Sequence, residues 1–463
     1  MSFPQSEKFT RANCAGLPPL EGQLEPWIQD LAADDPGSLV SKYGSPLNVI
    51  NTQPFRRNVI QLRGVAKSFG IDFDVFFARK ANKCISFVRE MKSLQGGIDV
   101  ASLEELVQVL DVGVPAEKII CTAAVKSREL IALCVEKGVV LAIDNRDEYG
   151  LVAQRPGNAK IALRVSGFDH NGATLNSRFG FPVPEALLIG REKGTPSIVG
   201  VHFHLDGYDP DQRVSAILQS LQLTRELRRN GHPVDFIDMG GGFPVCYLEK
   251  ADQWQQFWDH HRNALVSNNS PVTYKNHPLG LQVFEGQVYG RPNTYTFFQE
   301  HNRQTWLTDI LKQVHREISD VGIELRCEPG RALLDGAGCT IARVEFVKPR
   351  ANSDGEFYIG LSMNRTQCRT GSDDFLIDPL VVKSGSESST QMEGYLVGAY
   401  CTESELIFLR KFRFPSGIQR GDLVVIPNTA GYFMHFLESR SHQFPLAKNY
   451  QIGEQRLDDI DCR

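Results

Sequence analysis

Eight short β-branched runs alternate with helical stretches between residues 73 and 330, and this rhythm constrains the fold more than any other feature of the chain. The runs are Phe73–Lys80, Gly97–Ser102, Lys118–Ala123, Val139–Asn145, Lys160–Ser166, Ser197–Leu205, Phe236–Gly242 and Glu324–Gly330. Segments such as Leu103–Val112 and Ser127–Lys137 place apolar residues at helical spacing between them. A strand–helix alternation of this kind builds a parallel sheet. Eight near-regular units, with polar or glycine residues at most strand ends, favour closure into a (β/α)8 TIM-type barrel over an open doubly wound sheet.

The rhythm breaks once. Between Gly242 and Glu324 lie about 80 residues, far more than a β–α–β crossover uses. We read about 245–320 as an insertion, either a lid beside the barrel mouth or a remote decoration. After about residue 335 strands follow one another without helices: Thr340–Pro349, Glu356–Ser362, Phe375–Ser384, Glu393–Cys401, Glu405–Pro415 and Leu423–Pro427. The expected organisation is an N-terminal segment (1–48) packing with the β-domain, a barrel (49–334) and an all-β C-terminal domain (335–463). The run Ser384–Thr390 is a polar loop.

Composition narrows the functional classes. A net charge of −5 points to no nucleic acid and no anionic membrane surface as partner. No apolar run is long enough to span a bilayer, and Met1–Lys8 lacks the apolar centre of a secretory signal. The ten cysteines form no C-x-x-C pair, and several sit inside apolar runs, as reduced thiols do. A cytoplasmic location is expected.

In a barrel of this type the C-terminal strand ends carry the chemistry. The first end gives Lys80, the fifth Arg164, the sixth His202 and His204, the seventh Gly240-Gly241-Gly242, the eighth Glu328 and Arg331. A lysine leaving a buried strand loses hydration, which lowers its pKa and frees its lone pair for a carbonyl. On that segment alone a solvent-facing lysine is the better reading. Three glycines let backbone N–H groups approach an anion, although they also make an ordinary tight turn. No Walker-type or Rossmann-type loop accompanies them, which argues against a nucleotide. His202 and His204 could pack in the core, bind metal or lie against an aromatic cofactor; no further His or Cys at ligand spacing supports a metal, and none is expected. A carboxylate such as Glu328 beside a pyridine nitrogen keeps it protonated and makes the ring a strong electron sink.

Taken in order, these residues resemble the pyridoxal phosphate (PLP)-dependent decarboxylases of the alanine-racemase fold, the group of diaminopimelate and ornithine decarboxylases. The resemblance runs from Tyr43–Leu47 through Ala78–Asn82, Asp99–Leu106, Ser177–Gly180, Gly200–His204, Asp238–Pro244, Glu328–Arg331 and Gly398–Cys401 to Gly431-Tyr432. It implies that Lys80 forms the internal aldimine, that His204 stacks on the ring, and that Gly240, Gly241 and Gly242 bind the phosphate with Arg331 and Tyr432. It also implies that Glu328 pairs with the pyridine nitrogen. Cys401 would donate a proton across a homodimer whose active sites are shared between subunits. Decarboxylation of an amino acid or amino-acid conjugate is the expected reaction. Racemisation or other Cα chemistry, and a non-catalytic regulatory role, are the alternatives.

The chain departs from that family in two places. Where the family carries His-x-Gly-Ser, with a phosphate-binding serine, this chain reads His204-Leu205-Asp206-Gly207. Where the family follows its cysteine with an acidic residue for the substrate's distal ammonium, Cys401 is followed by Thr402 and then Glu403. Neighbouring strand residues face opposite sides, so Glu403 is no simple replacement. These changes, the long connection and the sequence Phe433–Arg440 point to a different or larger amino-acid substrate.

Overall fold

The computed structural model describes residues 11–155, 159–267, 271–353, 355–371, 375–385 and 390–458. Met1–Lys8 and Ser386–Ser389 of the polar loop lie outside the described residues. The chain forms two compact units. One comprises Thr52–Pro244 and His301–Leu333; the other gathers the N-terminal stretch up to Asn51, Val245–Glu300 and the chain from Leu334 onward.

The first unit is a closed parallel barrel. Its strands are β1 (Phe73–Ala78), β2 (Gly97–Val100), β3 (Ile119–Cys121), β4 (Val140–Ile143), β5 (Lys160–Ser166), β6 (Ser197–His202), β7 (Phe236–Asp238) and β8 (Glu324–Cys327). Each pairs in parallel with the next, and β8 pairs back onto β1. The strands read as apolar runs because both their faces are buried. Inside the barrel Phe76, Ile120, Val140, Ala162 and Phe236 pack into one cluster. Gly97 and Gly200 make room for its two rings: a Cβ on either would stand 2.2 Å from Phe76 or 2.1 Å from Phe236.

All eight strands fall where the periodicity predicts, but most stop two to four residues earlier at their C-terminal ends. Those extra residues still follow the ladder. Phe203 N–H donates to Asp238 O, Met239 N–H to Arg326 O and Glu328 N–H to Gly240 O, at 2.8–3.0 Å. The turns into the following helices are pinned by caps. Ser102, Ser127 and Asn145 accept the backbone N–H of Glu105, Leu130 and Glu148. Each such cap contributes ~1 kcal/mol and fixes where its strand end emerges.

The second unit is built on a ten-stranded sheet. Its spine, Gly338–Pro349, pairs with Glu356–Leu361, Leu47–Ile50 and Leu423–Pro427. Lys448–Gln451 adds to Leu47–Ile50, and Ala15–Gly16 to Phe412–Phe414. Of the long connection read as an insertion, Val245–Glu300 clusters with this unit, whereas Arg303–Val321 is a helix of the barrel unit. Two buried ion pairs, Lys383–Asp422 at 2.8 Å and Arg410–Asp378 at 2.7 Å, tie its loops to the sheet. Among the described residues no helix is long and apolar enough to cross a membrane.

Candidate active site

Lys80 leaves β1 in a single 3-10 turn, Arg79–Ala81. Arg79 anchors that turn from the buried side, its Nη1 donating to Lys83 O at 3.0 Å and its Nη2 to Gln108 Oε1. The neighbouring Lys80 side chain is 40% exposed and its Nζ pairs with Asp99 Oδ2. Asp99, at the end of β2, also accepts the hydroxyl of Thr122. Burial is the main cause that raises the Asp99 carboxyl, the charge of Glu328 adds to it, and Lys80 opposes both. The lysine is therefore held by an acid that is costly to ionise without it.

Glu328 follows β8 and is buried. Its Oε2 lies 3.3 Å from His202 Nε2, and its Oε1 has no hydrogen-bond partner. Burial raises the Glu328 carboxyl, opposed first by Lys80 and then by Arg164. Asp238, at the end of β7, is raised further, by burial and then by the charge of Glu328. His202 is pushed well below its usual value by burial and by Arg164, so it is neutral and its Nε2–H donates to Glu328. His202, Asp238 and Glu328 each bring a donor atom within 4.8 Å of the others. Sequence spacing hides this trio because its members come from three strands. Asp238 Oδ1 already accepts Gly240 N–H at 2.9 Å.

The glycine loop after β7 curls through positive φ at Gly240 (+68°) and Gly242 (+83°). A Cβ on Gly240 would stand 2.6 Å from Phe203 O, and one on Gly241 2.9 Å from Glu328 O. No other residue type fits this cradle unstrained. Gly241 N–H donates to His204 Nδ1 at 3.3 Å, which leaves the imidazole proton on Nε2. Burial first, then the charge of Arg213, brings His204 down to about 3, so its ring is neutral. Arg164, on β5, is buried against Asp144 at 3.3 Å and lies 4.1 Å from the Phe179 ring centroid. Arg331 stands in the turn after Glu328.

Lys80, Arg164, His204, Gly240–Gly242, Glu328 and Arg331 all belong to the barrel unit. Cys401, Thr402, Glu403 and Tyr432 belong to the β-rich unit. Cys401, Thr402 and Glu403 are exposed in a turn, where Thr402 N–H donates to Tyr400 O at 2.8 Å. Tyr432 adopts a left-handed backbone at φ +73°. The exposed Asp206 folds back on its own turn, accepting Gly207 N–H at 2.9 Å. Sequence reasoning passed over three contributors: Asp99, Thr122 and Arg213. Asp99 could have been found as an acid at the end of a buried strand. Arg213 carries no such signal, being one of several arginines on a long helix.

An eight-stranded barrel with a lysine after β1, a glycine cradle after β7 and a buried carboxylate after β8 defines a PLP-binding enzyme of the alanine-racemase fold. The comparisons with known proteins agree. The pyridoxal-binding domain of the pyridoxal-dependent decarboxylases matches residues 57–274. The uncharacterized protein y4yA of Sinorhizobium fredii is 29% identical across 89% of each chain. Antizyme inhibitor 2 of Mus musculus is 32% identical over 36% of this chain and 38% of its own. Lysine decarboxylase of Selenomonas ruminantium superposes with a TM-score of 0.68 at 19% identity over 90% of this chain and 95% of that one. The chain carries the pyridoxal-binding domain of the pyridoxal-dependent decarboxylases over residues 57–274 and is similar to them as a divergent relative, and its cofactor is PLP.

The residues present fit that cofactor. The glycine cradle excludes side chains, as a phosphate needs. Glu328 Oε1 is a buried acceptor without a donor, which a protonated pyridine nitrogen would supply. Lys80 Nζ is the one of these groups able to bond an aldehyde.

Proposed function

We propose that this protein removes the α-carboxylate from an amino acid or amino-acid conjugate, working as a homodimer. PLP, when bound, supplies the electron sink that accepts the pair left as the Cα–carboxylate bond breaks. Lys80 Nζ attaches the cofactor, and Asp99 orients that nitrogen and takes up or returns its proton. Neutral His204 offers an aromatic face to the ring, fixed by Gly241 N–H. Glu328 holds a proton on the pyridine nitrogen, and His202 steadies the carboxylate. Gly240–Gly242 and Arg331 hold the phosphate. Cys401 of the second subunit returns a proton to Cα, and its exposure in a turn supports that reading. The free thiols among the described cysteines support a cytoplasmic setting.

The observation that carries the proposal is Glu328. A buried carboxylate with an open oxygen favours a protonated ring, which stabilises a full carbanion and so favours decarboxylation over racemisation. Thr402 cannot neutralise an ammonium, which supports a substrate other than a simple diamino acid. The test is carbon dioxide release from PLP-loaded protein across amino acids and their conjugates. Release that disappears in Lys80→Ala supports the proposal, and recovery on mixing Lys80→Ala with Cys401→Ala subunits supports the shared site. Exchange of the α-proton without carbon dioxide would mean racemase-type chemistry. The similarity to antizyme inhibitor 2 favours a second reading, a regulatory homologue; it predicts neither release nor exchange with any substrate.

A further inference from the structure

Arg213 lies in the first turn of the helix Pro210–Arg229, which follows β6, and it is completely buried. Its Nη2 donates to Leu205 O at 2.7 Å and to Gly207 O at 3.2 Å. Its Nε and Nη1 have no hydrogen-bond partner. The guanidinium lies 5.6 Å from the Trp306 ring centroid. No carboxylate pairs with it among the described residues; Asp206 and Asp209 act on it only at longer range. Burial brings it down to about 10, so it stays charged at neutral pH.

An unpaired buried cation is costly, and it persists where a counter-charge arrives. The loop around Arg213 indicates which one. A Cβ on Gly242 would stand 2.5 Å from Arg213 Nη2, so the guanidinium packs directly against the glycine cradle. It is also the second-largest cause of the lowered His204 pKa, which places its field at the same end of the site. The two carbonyls it grips, Leu205 and Gly207, flank Asp206 in the turn where the resembling family carries its serine. The turn that lacks the hydroxyl and the charge beneath it therefore fall at one place.

We propose that Arg213 is the positive charge that holds the cofactor's phosphate in the Gly240–Gly242 loop, replacing the serine hydroxyl missing from this chain. It acts from behind the loop, by fixing the turn and by attracting the dianion. The inference rests on the PLP reading and specifies how that site is built. A neutral cofactor tail would gain nothing from this arrangement.

The test compares PLP with pyridoxal, which lacks the phosphate, by spectroscopic titration of the apo-protein. Wild-type protein should bind PLP far more tightly than pyridoxal. Arg213→Gln should weaken PLP by about 10- to 100-fold, the range of a charge-assisted contact, and change pyridoxal by less than about 3-fold. Arg213→Lys should keep most of the preference, because it keeps the charge. Apo Arg213→Gln should fold, since its amide can still serve one of the two carbonyls. Parallel weakening of both ligands, no change in either, or an apo variant that fails to fold would overturn the proposal and make Arg213 a structural residue. Wild-type protein that binds neither ligand would instead remove the PLP reading itself.

Discussion

Replacing Glu328 with glutamine changes one charge and almost no volume. In the wild-type protein the side chain is buried, with His202 Nε2 on one oxygen at 3.3 Å and an open Oε1. Glutamine can still accept from His202 through its carbonyl oxygen, but it cannot hold a proton on a pyridine nitrogen. Truncating one partner of a buried, hydrogen-bonded charge pair costs about 2–5 kcal/mol. If that loss falls on the transition state, kcat drops roughly 30-fold to several thousand-fold. PLP affinity should fall much less, because the phosphate is held elsewhere. The assay is initial-rate carbon dioxide release at saturating PLP, paired with PLP titration. A variant within about 3-fold of wild-type kcat would refute the assignment, since it would show the ring needs no acid beside it. The apo-protein gives a second check. The Glu328 pKa is raised on folding, so the folded state binds more protons than the unfolded state and stability falls as pH rises past the ordinary carboxylate range. Glu328→Gln should lose that component and be the more stable protein at neutral pH.

Three further outcomes follow from the same geometry. His204 titrates at about 3 when folded against about 6.5 when unfolded, so it contributes stability at neutral pH that is lost as pH falls from that unfolded value toward 3. His204→Phe should flatten part of the acid limb of a stability-against-pH curve, and an unchanged limb would contradict the burial argument. Asp99→Asn removes the acid that holds Lys80 and should slow carbon dioxide release by about 10- to 100-fold while sparing the fold; chemistry at the wild-type rate would show that the pair has no positioning role. In the β-rich unit, Asp422→Asn leaves the Lys383 ammonium buried beside Gly417 O alone and should cost about 3–5 kcal/mol in denaturant unfolding, whereas a loss below about 1 kcal/mol would mean the pair is not sealed from water.

The barrel was legible because its strands are buried on both faces, which writes each as a compact apolar run. The strand ends were legible too, and they yielded Lys80, His204, the glycines and Glu328. What the sequence could not give was contact across strands. Asp99 becomes a partner of Lys80, and Asp238 a neighbour of Glu328, only once β1, β2, β7 and β8 close on one another. Arg213 was hidden for another reason: a lone arginine on an amphipathic helix looks like a solvated face, and only its full burial sets it apart. The length of the long connection says nothing about where it packs. Its first part, Val245–Glu300, clusters with the β-rich unit, which hydrophobic periodicity along the chain cannot report.

The proposed attachment of the cofactor to Lys80 underlies every step above. It is tested most directly by reducing the PLP-loaded protein with borohydride, digesting it and mapping the pyridoxyl group by mass spectrometry. One labelled residue, Lys80, is expected, with no label in Lys80→Ala. A pyridoxyl group on another lysine, or none at all under saturating PLP, would contradict it.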